Sequence, residues 1–320
     1  MKKILVLGAG GFIGSHLVTK LKLLGHYVIG ADLKYPEFND THADKFHIMD
    51  LSCYNNVQEV VTSDIDIVYQ LAADMGGAGY IFTGDNDANI MNSSAKINLN
   101  TLDAMKNVGI KKILYTSSAC IYPKHNQTDP NNPLCTEESA YPAYPDSEYG
   151  WEKLFSERLY MSYARNYGFD VRIPRLHNIF GPEGAWNNGR EKAPAALCRK
   201  VAMAEDHGSI DVWGPGTQTR SFLFIDECIT GLLNLWESSY YKPINLGSEY
   251  YLSINNLALL ISDVANKEIK INNVDGPIGV NGRTSDNTLM EIVTGWRPKE
   301  DLRYGLEKTY AWIKKQIENN

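Results

Sequence analysis

Tyr149 and Lys153 stand four residues apart, so a phenol and an ammonium share one face of a helix while Trp151, Leu154, Phe155 and Leu159 cover another. A phenol titrates near about 10, and a neighbouring positive charge lowers that value toward the range in which tyrosinate accepts a proton. Upstream, Ser117-Ser118-Ala119-Cys120-Ile121-Tyr122-Pro123 follows the strand-like run Ile113-Leu114-Tyr115, which sets Ser118 and Cys120 at the carboxyl end of a strand. Cys120 has two readings. Its thiol, with a reference pKa of about 8.5, suits proton removal from carbon beside a ketone, and it equally suits a small buried hydrophobe.

A second constellation opens the chain. Ile4-Leu5-Val6-Leu7 runs into Gly8-Ala9-Gly10-Gly11-Phe12-Ile13-Gly14, with an amphipathic helix expected from about Ser15 to Leu24. Glycines at 8, 11 and 14 let backbone approach a pyrophosphate, and the helix start that Phe12 and Ile13 lead into adds free amides and positive potential. Asp32 closes the next strand 18 residues past Gly14, where a carboxylate accepts from the adenosine ribose and repels a 2′-phosphate, so the cofactor expected is NAD rather than NADP. Asp50 ends a third strand and is placed against the adenine.

These motifs need a scaffold, and the pattern supplies one. Short apolar runs at 4–7, 27–30, 67–71 and 113–115 alternate with helical segments, and Val171-Arg172-Ile173 adds a further strand, as in a doubly wound α/β parallel sheet of Rossmann type. Beyond His177 glycine and proline punctuate short elements, which predicts a smaller C-terminal substrate-binding lobe over the sheet's carboxyl edge. The division expected is 1–176 for the NAD-binding part, with about 221–247 returning to it, and 177–220 plus 248–320 for the lobe. The chain has 320 residues, 31 Lys+Arg against 38 Asp+Glu, and five scattered cysteines. That balance argues against a nucleic-acid surface, and no apolar run reaches the length of a membrane span. Without a Cys-x-x-Cys pair, neither a disulfide framework nor a metal site is expected, and the chain reads as cytoplasmic.

Taken together, the glycines, Ser118 and the Tyr149/Lys153 pair resemble the extended short-chain dehydrogenase/reductase family. The resemblance implies that Tyr149 removes a proton from a sugar hydroxyl as hydride passes to NAD, that Ser118 orients the hydroxyl, and that Lys153 supports both tyrosine and cofactor. Sugar-nucleotide 4,6-dehydratases of that family carry an Asp-Glu pair where this chain has Ala119-Cys120. Six segments instead resemble the GDP-mannose 3,5-epimerases: Ala73-Asp74-Met75-Gly76-Gly77, 117–123, His177-Asn178-Ile179-Phe180-Gly181-Pro182, 189–196, Gln218-Thr219-Arg220-Ser221-Phe222 and Gly282-Arg283-Thr284-Ser285-Asp286-Asn287. This resemblance implies transient oxidation at C4 of a GDP-sugar, proton exchange at C3 and C5, and re-reduction. It assigns Cys120 and Lys192 as the acid/base pair on opposite ring faces. Lys192 stands ahead of Pro194 at a helix start, where the dipole is expected to lower its pKa. The substrate contacts implied are Gly76, Ser118, Ala119, Cys120, Asn178, Glu191, Lys192, Ala193, Gln218 and Thr219, with Lys200, Arg220 and Arg283 on the diphosphate. A homodimer through the Tyr149 helix is implied as well. Two rivals stay open: a GDP-sugar 4-epimerase or C4 dehydrogenase, for instance on a GDP-heptose, in which Cys120 merely packs, and a non-catalytic NAD-binding regulator.

Overall fold

The computed structural model describes residues 1–320 other than 133, 134, 300 and 320. Its centre is a parallel sheet of β1 (Lys3–Leu7), β2 (Tyr27–Asp32), β3 (Lys45–Ile48), β4 (Ile67–Gln70), β5 (Lys112–Tyr115), β6 (Ser117–Ser118), β7 (Asp170–Leu176) and β8 (Pro243–Leu246). The spatial order is β8-β7-β5-β4-β1-β2-β3, with β6 alongside the end of β7. The order of strand addition therefore reverses at β1/β4, and the carboxyl ends there form the crevice in which open α/β sheets bind ligands.

The apolar runs are continuous because both sheet faces are covered. Ile4 and Val6 join a core with Leu17 and Val18 of α1 (Phe12–Leu23), whereas Leu5 and Leu7 join a second core with Val68, Ile113 and Val171. Helix α2 (Asp87–Val108) packs against α3 (Glu148–Tyr167) on the second face, through contacts such as Asn98 Nδ2 donating to Ser156 Oγ at 3.0 Å. Strand β7 runs further than the sequence predicts, passing through Pro174. It can do so because β5 pairs only with residues 170–172 and β6 with 175–176, so no ladder bond on that side requires the missing N–H.

Residues 225–246 return to this sheet: α5 (Ile225–Glu237) packs beside α1, and β8 pairs with β7 at the edge. The segments around it build small sheets over the carboxyl edge. Thr219–Ser221 lies between Tyr251–Ser253 and Gly282–Arg283, and Ser209–Trp213 pairs with Lys270–Val274. One hydrophobic core extends from Ile4 and Leu17 through Phe180 and Phe224 to Leu257 and Ile313, so the lobe shares its packing with the central sheet. No helix is long and apolar enough to cross a membrane, and no cluster of metal-binding side chains occurs, among the described residues.

Candidate active site

A cavity of about 900 Å³ lies between the carboxyl ends of the strands and the lobe. At one end it is made of backbone. Helix α1 starts at Phe12, three residues earlier than predicted, with Gly11 as an N-cap that has no side-chain hydrogen bond. Its first amides are therefore unsatisfied at the cavity wall, where Gly8, Gly11, Phe12, Ile13 and Gly14 all line the space. Gly14 is required by close approach, since a Cβ there would sit 1.9 Å from the Gly8 carbonyl oxygen. The Gly10 amide, overlooked in the sequence, donates to Asp32 Oδ2 at 2.9 Å and fixes the carboxylate at the rim. Burial raises the Asp32 pKa, opposed by amide donors from Gly10, Lys34 and Leu33. Asp50 lies further along the same wall. Free helix amides, an approachable turn and a ribose-facing acceptor fit an NAD cofactor.

The middle of the cavity carries the tyrosine. Helix α3 begins at the N-cap Ser147, whose hydroxyl oxygen accepts from the Gly150 amide at 3.3 Å, and presents Tyr149 and Lys153 one turn apart. Gly150 is there for contact: a Cβ would lie 2.1 Å from the Cys120 carbonyl oxygen, so helix and thiol-bearing turn are pressed together. Ser118 stands beside Tyr149, where its hydroxyl favours the phenolate, and its Oγ accepts from the Cys120 amide at 3.2 Å. Lys153 Nζ donates to the Thr116 carbonyl at 3.1 Å and lies 5.7 Å from the Tyr149 ring centre. The lowering of the phenol pKa expected from Lys153 together with a positively charged nicotinamide has burial to overcome. Burial pushes Tyr149 up, reinforced by the Cys120 charge and only opposed by Ser118, while burial pulls Lys153 down. Desolvation dominates because the Tyr149 side chain is buried, 6% exposed.

The other end is built from side chains of distant segments. Cys120 and Lys192 both line it, Lys192 as the N-cap of α4 (Ala193–Met203), which has Pro194 in its first turn. The Lys192 pKa is lowered as expected, but by burial, against the charges of Cys120 and Cys228. Asn178 adopts the left-handed region with φ 44° and donates Nδ2 to the Ser221 carbonyl at 2.9 Å. Glu191 also lines the cavity, yet its carboxylate is engaged by Arg199 at 3.0 Å and by the Gly189 amide at 2.6 Å. Gly76, Ala119 and Ala193 are on the lining. So is Lys200, whose Nζ donates to the Asp211 carbonyl at 2.6 Å.

Gln218 donates to the Trp213 carbonyl at 2.9 Å and leaves its buried Oε1 without a partner. Arg220 donates only to carbonyls, of Thr219, Ile278 and Val280, at 2.6 to 2.9 Å. Burial, then nearby Arg283, bring its pKa down to about 9. A buried guanidinium bonded to no carboxylate favours an anionic ligand.

Two assignments change. Thr219 does not line the cavity. Side chains alternate along its strand, so it points away from Arg220 and its hydroxyl donates to the Pro130 carbonyl at 2.5 Å. Arg283 lines the cavity but bonds to Cys120, Asp146 and Gln127 rather than standing free for a diphosphate. Asp146 and Gln127 carry no signal in the sequence.

The geometry is matched by likeness to known proteins. Residues 4–247 match the family model of the NAD dependent epimerase/dehydratase family. The chain is 46% identical over 318 residues, 99% of its length and 83% of the relative's, to the GDP-mannose 3,5-epimerase of Arabidopsis thaliana. It is 31% identical over 317 residues, 95% of its length and 87% of the relative's, to UDP-glucuronic acid decarboxylase 5 of the same plant. Among solved structures, the UDP-glucuronic acid 4-epimerase of Bacillus cereus, in complex with UDP-glucuronic acid and NAD, aligns with a TM-score of 0.83 at 26% identity over 98% of this chain and 99% of that one.

Proposed function

The chain belongs to the NAD dependent epimerase/dehydratase family, and from that premise we propose that it is an NAD-dependent epimerase of GDP-mannose or a closely related GDP-sugar, inverting C3 and C5. The observation that carries this reading is the pairing of Cys120 and Lys192 in one cavity with the Ser118–Tyr149–Lys153 set. A 4-epimerase needs only the latter. Two additional proton-transfer groups have work to do when C–H bonds break beside a ketone.

The chemistry that bound NAD supplies is reversible oxidation of the sugar 4-hydroxyl, and the ketone so formed acidifies hydrogens on the flanking carbons. Gly8, Gly11, Gly14 and the α1 amides hold its pyrophosphate, and Asp32 the ribose. Tyr149 takes and returns the 4-hydroxyl proton, with Ser118 orienting the hydroxyl. The fixed positive charge of Lys153, together with that of the cofactor, counters the burial that raises the phenol. Cys120 removes a proton from one ring face and Lys192 delivers one to the other. A lysine whose ammonium is destabilised by burial gives up its proton readily, which suits it for the acid. Arg220 and Lys200 hold the diphosphate, and the free Gln218 oxygen accepts from the nucleotide.

We also propose a homodimer through α2 and α3, where Leu99, Trp151 and Phe155 are exposed apolar residues on the packed helix pair. A cytoplasmic location suits five unpaired cysteines, among which a reactive Cys120 must stay reduced. The test is incubation of the purified protein with GDP-mannose in heavy water, followed by NMR. Deuterium at C3 and C5 with new epimers is the expected result. Label at neither carbon, with turnover of another GDP-sugar, refutes the assignment.

A further inference from the structure

The cavity wall that carries Lys192 meets a second wall along one seam. Residues 186–191 lead up to the lysine as a strap with neither helix nor strand, and they meet the segment 74–81 at the reacting end. There main chain lies on main chain. The Gly77 amide donates to the Arg190 carbonyl at 3.0 Å, and a Cβ on Gly77 would sit 2.3 Å from the Glu191 carbonyl oxygen. Arg190 closes the seam on its solvent side. Its guanidinium lies 4.0 Å from the centre of the Tyr80 ring, and its Nη1 donates to Asp74 Oδ1 at 3.4 Å and to the Met75 carbonyl at 3.3 Å. The Tyr80 hydroxyl donates to the same carboxylate, 3.0 and 3.1 Å from its two oxygens. With Arg190 47% exposed, the ion pair alone holds little. A guanidinium seated over an aromatic ring, with both groups bonded to one carboxylate, is held in one arrangement. The strap is stitched to α4 as well, since Arg199 donates to the Trp186 carbonyl at 2.9 Å and pairs with Glu191 at 3.0 Å.

We propose that Arg190, seated between Tyr80 and Asp74, is a positioning residue for Lys192 and thereby sets the stereochemical outcome at the ring carbon. Its action passes through the strap, because Lys192 is only two residues further on, at the N-cap of α4. When Cys120 takes a proton from carbon, the electron pair of the broken C–H bond passes into an enolate, with the negative charge on the C4 oxygen. The enolate collapses by taking a proton back at the same carbon. From Lys192, on the opposite face, that proton completes inversion and leaves the lysine neutral; from the Cys120 thiol it restores the starting configuration. Proton transfer falls off steeply with misplacement, so a strap free to drift hands the enolate back to the thiol. In heavy water both groups carry deuterons. Both outcomes then label the carbon, and only the transfer from Lys192 makes an epimer.

This inference rests on the proposed roles of Cys120 and Lys192, and its test keeps the two separable. The NAD-loaded full chain is incubated with GDP-mannose in heavy water, and NMR compares deuterium in the remaining GDP-mannose with deuterium in the epimers. For Arg190→Ala and Tyr80→Leu that ratio is expected to rise about tenfold, with nicotinamide reduction in a single turnover and GDP-mannose affinity held within about twofold. Tyr80→Phe keeps the ring and should stay near the wild-type ratio. Amide exchange followed by mass spectrometry reads the seam without turnover: the peptide containing Gly77 should exchange about tenfold faster in the first two variants, and the peptide containing Gly150 at the wild-type rate. An unchanged ratio overturns the proposal, as does loss of nicotinamide reduction in step with inversion. A tenfold loss of GDP-mannose affinity at an unchanged ratio overturns it too and makes Arg190 a substrate ligand. If the wild-type chain yields neither label nor epimer, the proposed function fails, and amide exchange decides the seam: faster exchange at Gly77 keeps Arg190 as the clasp of the strap, and unchanged exchange removes it.

Discussion

The two ends of the cavity solve the same problem, holding a charged ligand, with different materials. The cofactor end uses main chain: a turn closed by Gly8 and Gly14, uncapped α1 amides, and one carboxylate tied to a backbone N–H. The reacting end uses side chains carried by residues 120, 178, 192, 220 and 283, held by partners such as Gln127, Asp146 and Ser221 that lie far away in the chain. Backbone donors cost no side-chain ordering and tolerate no added atom. Buried charged side chains are the reverse: their chemistry can be tuned, and their burial destabilises the protein that carries them.

That contrast can be broken first at Gly14. Gly14→Ala places a methyl 1.9 Å from the Gly8 oxygen, and the turn must open. NAD affinity should fall by at least about a hundredfold, measured by calorimetry on stripped protein, if cofactor binding rests on that backbone as described. Retention of near wild-type affinity would show that side chains hold the cofactor. A smaller effect is expected at Asp32. Asp32→Asn removes the charge that repels a 2′-phosphate, and the preference for NAD over NADP should shrink by about tenfold in competition binding.

The least effect on binding or stability, and one of opposite sign, belongs to Lys192. Its folded pKa is depressed by burial, so in the window between that value and the unfolded value of about 10.5 the unfolded chain binds more protons. Stability therefore rises with pH in that window, and the ammonium costs most at lower pH. Lys192→Met should raise the melting temperature at pH 7 by a few degrees and flatten its pH dependence, while turnover is lost. A destabilised Lys192→Met protein would mean that the lysine is a satisfied structural cation.

The same contrast explains what could be read from sequence. Glycine spacing, Asp32 after the second strand and the Tyr149/Lys153 turn are local patterns, and the structure places them together at the crevice as their spacing implies. Helix α1 starts at Phe12 rather than Ser15 because the glycine turn itself ends in helical geometry. Thr219 shares a motif with Gln218 and Arg220, but strand alternation turns it away from them. The burial that raises the Tyr149 pKa is a property of packing, invisible in a four-residue spacing. The partners of Arg283 could not be read at all: Asp146 and Gln127 lie 137 and 156 residues away and match no motif.

The central claim is a division of labour, with sugar oxidation belonging to the Tyr149 half and proton exchange at carbon to the Cys120 half. The direct test is Cys120→Ala with GDP-mannose in heavy water, following nicotinamide absorbance in a single turnover and deuterium at C3 and C5 by NMR. The account predicts that reduced nicotinamide still forms, while label at both carbons falls by about a hundredfold or more. Undiminished labelling would contradict it, as would loss of nicotinamide reduction in step with the labelling.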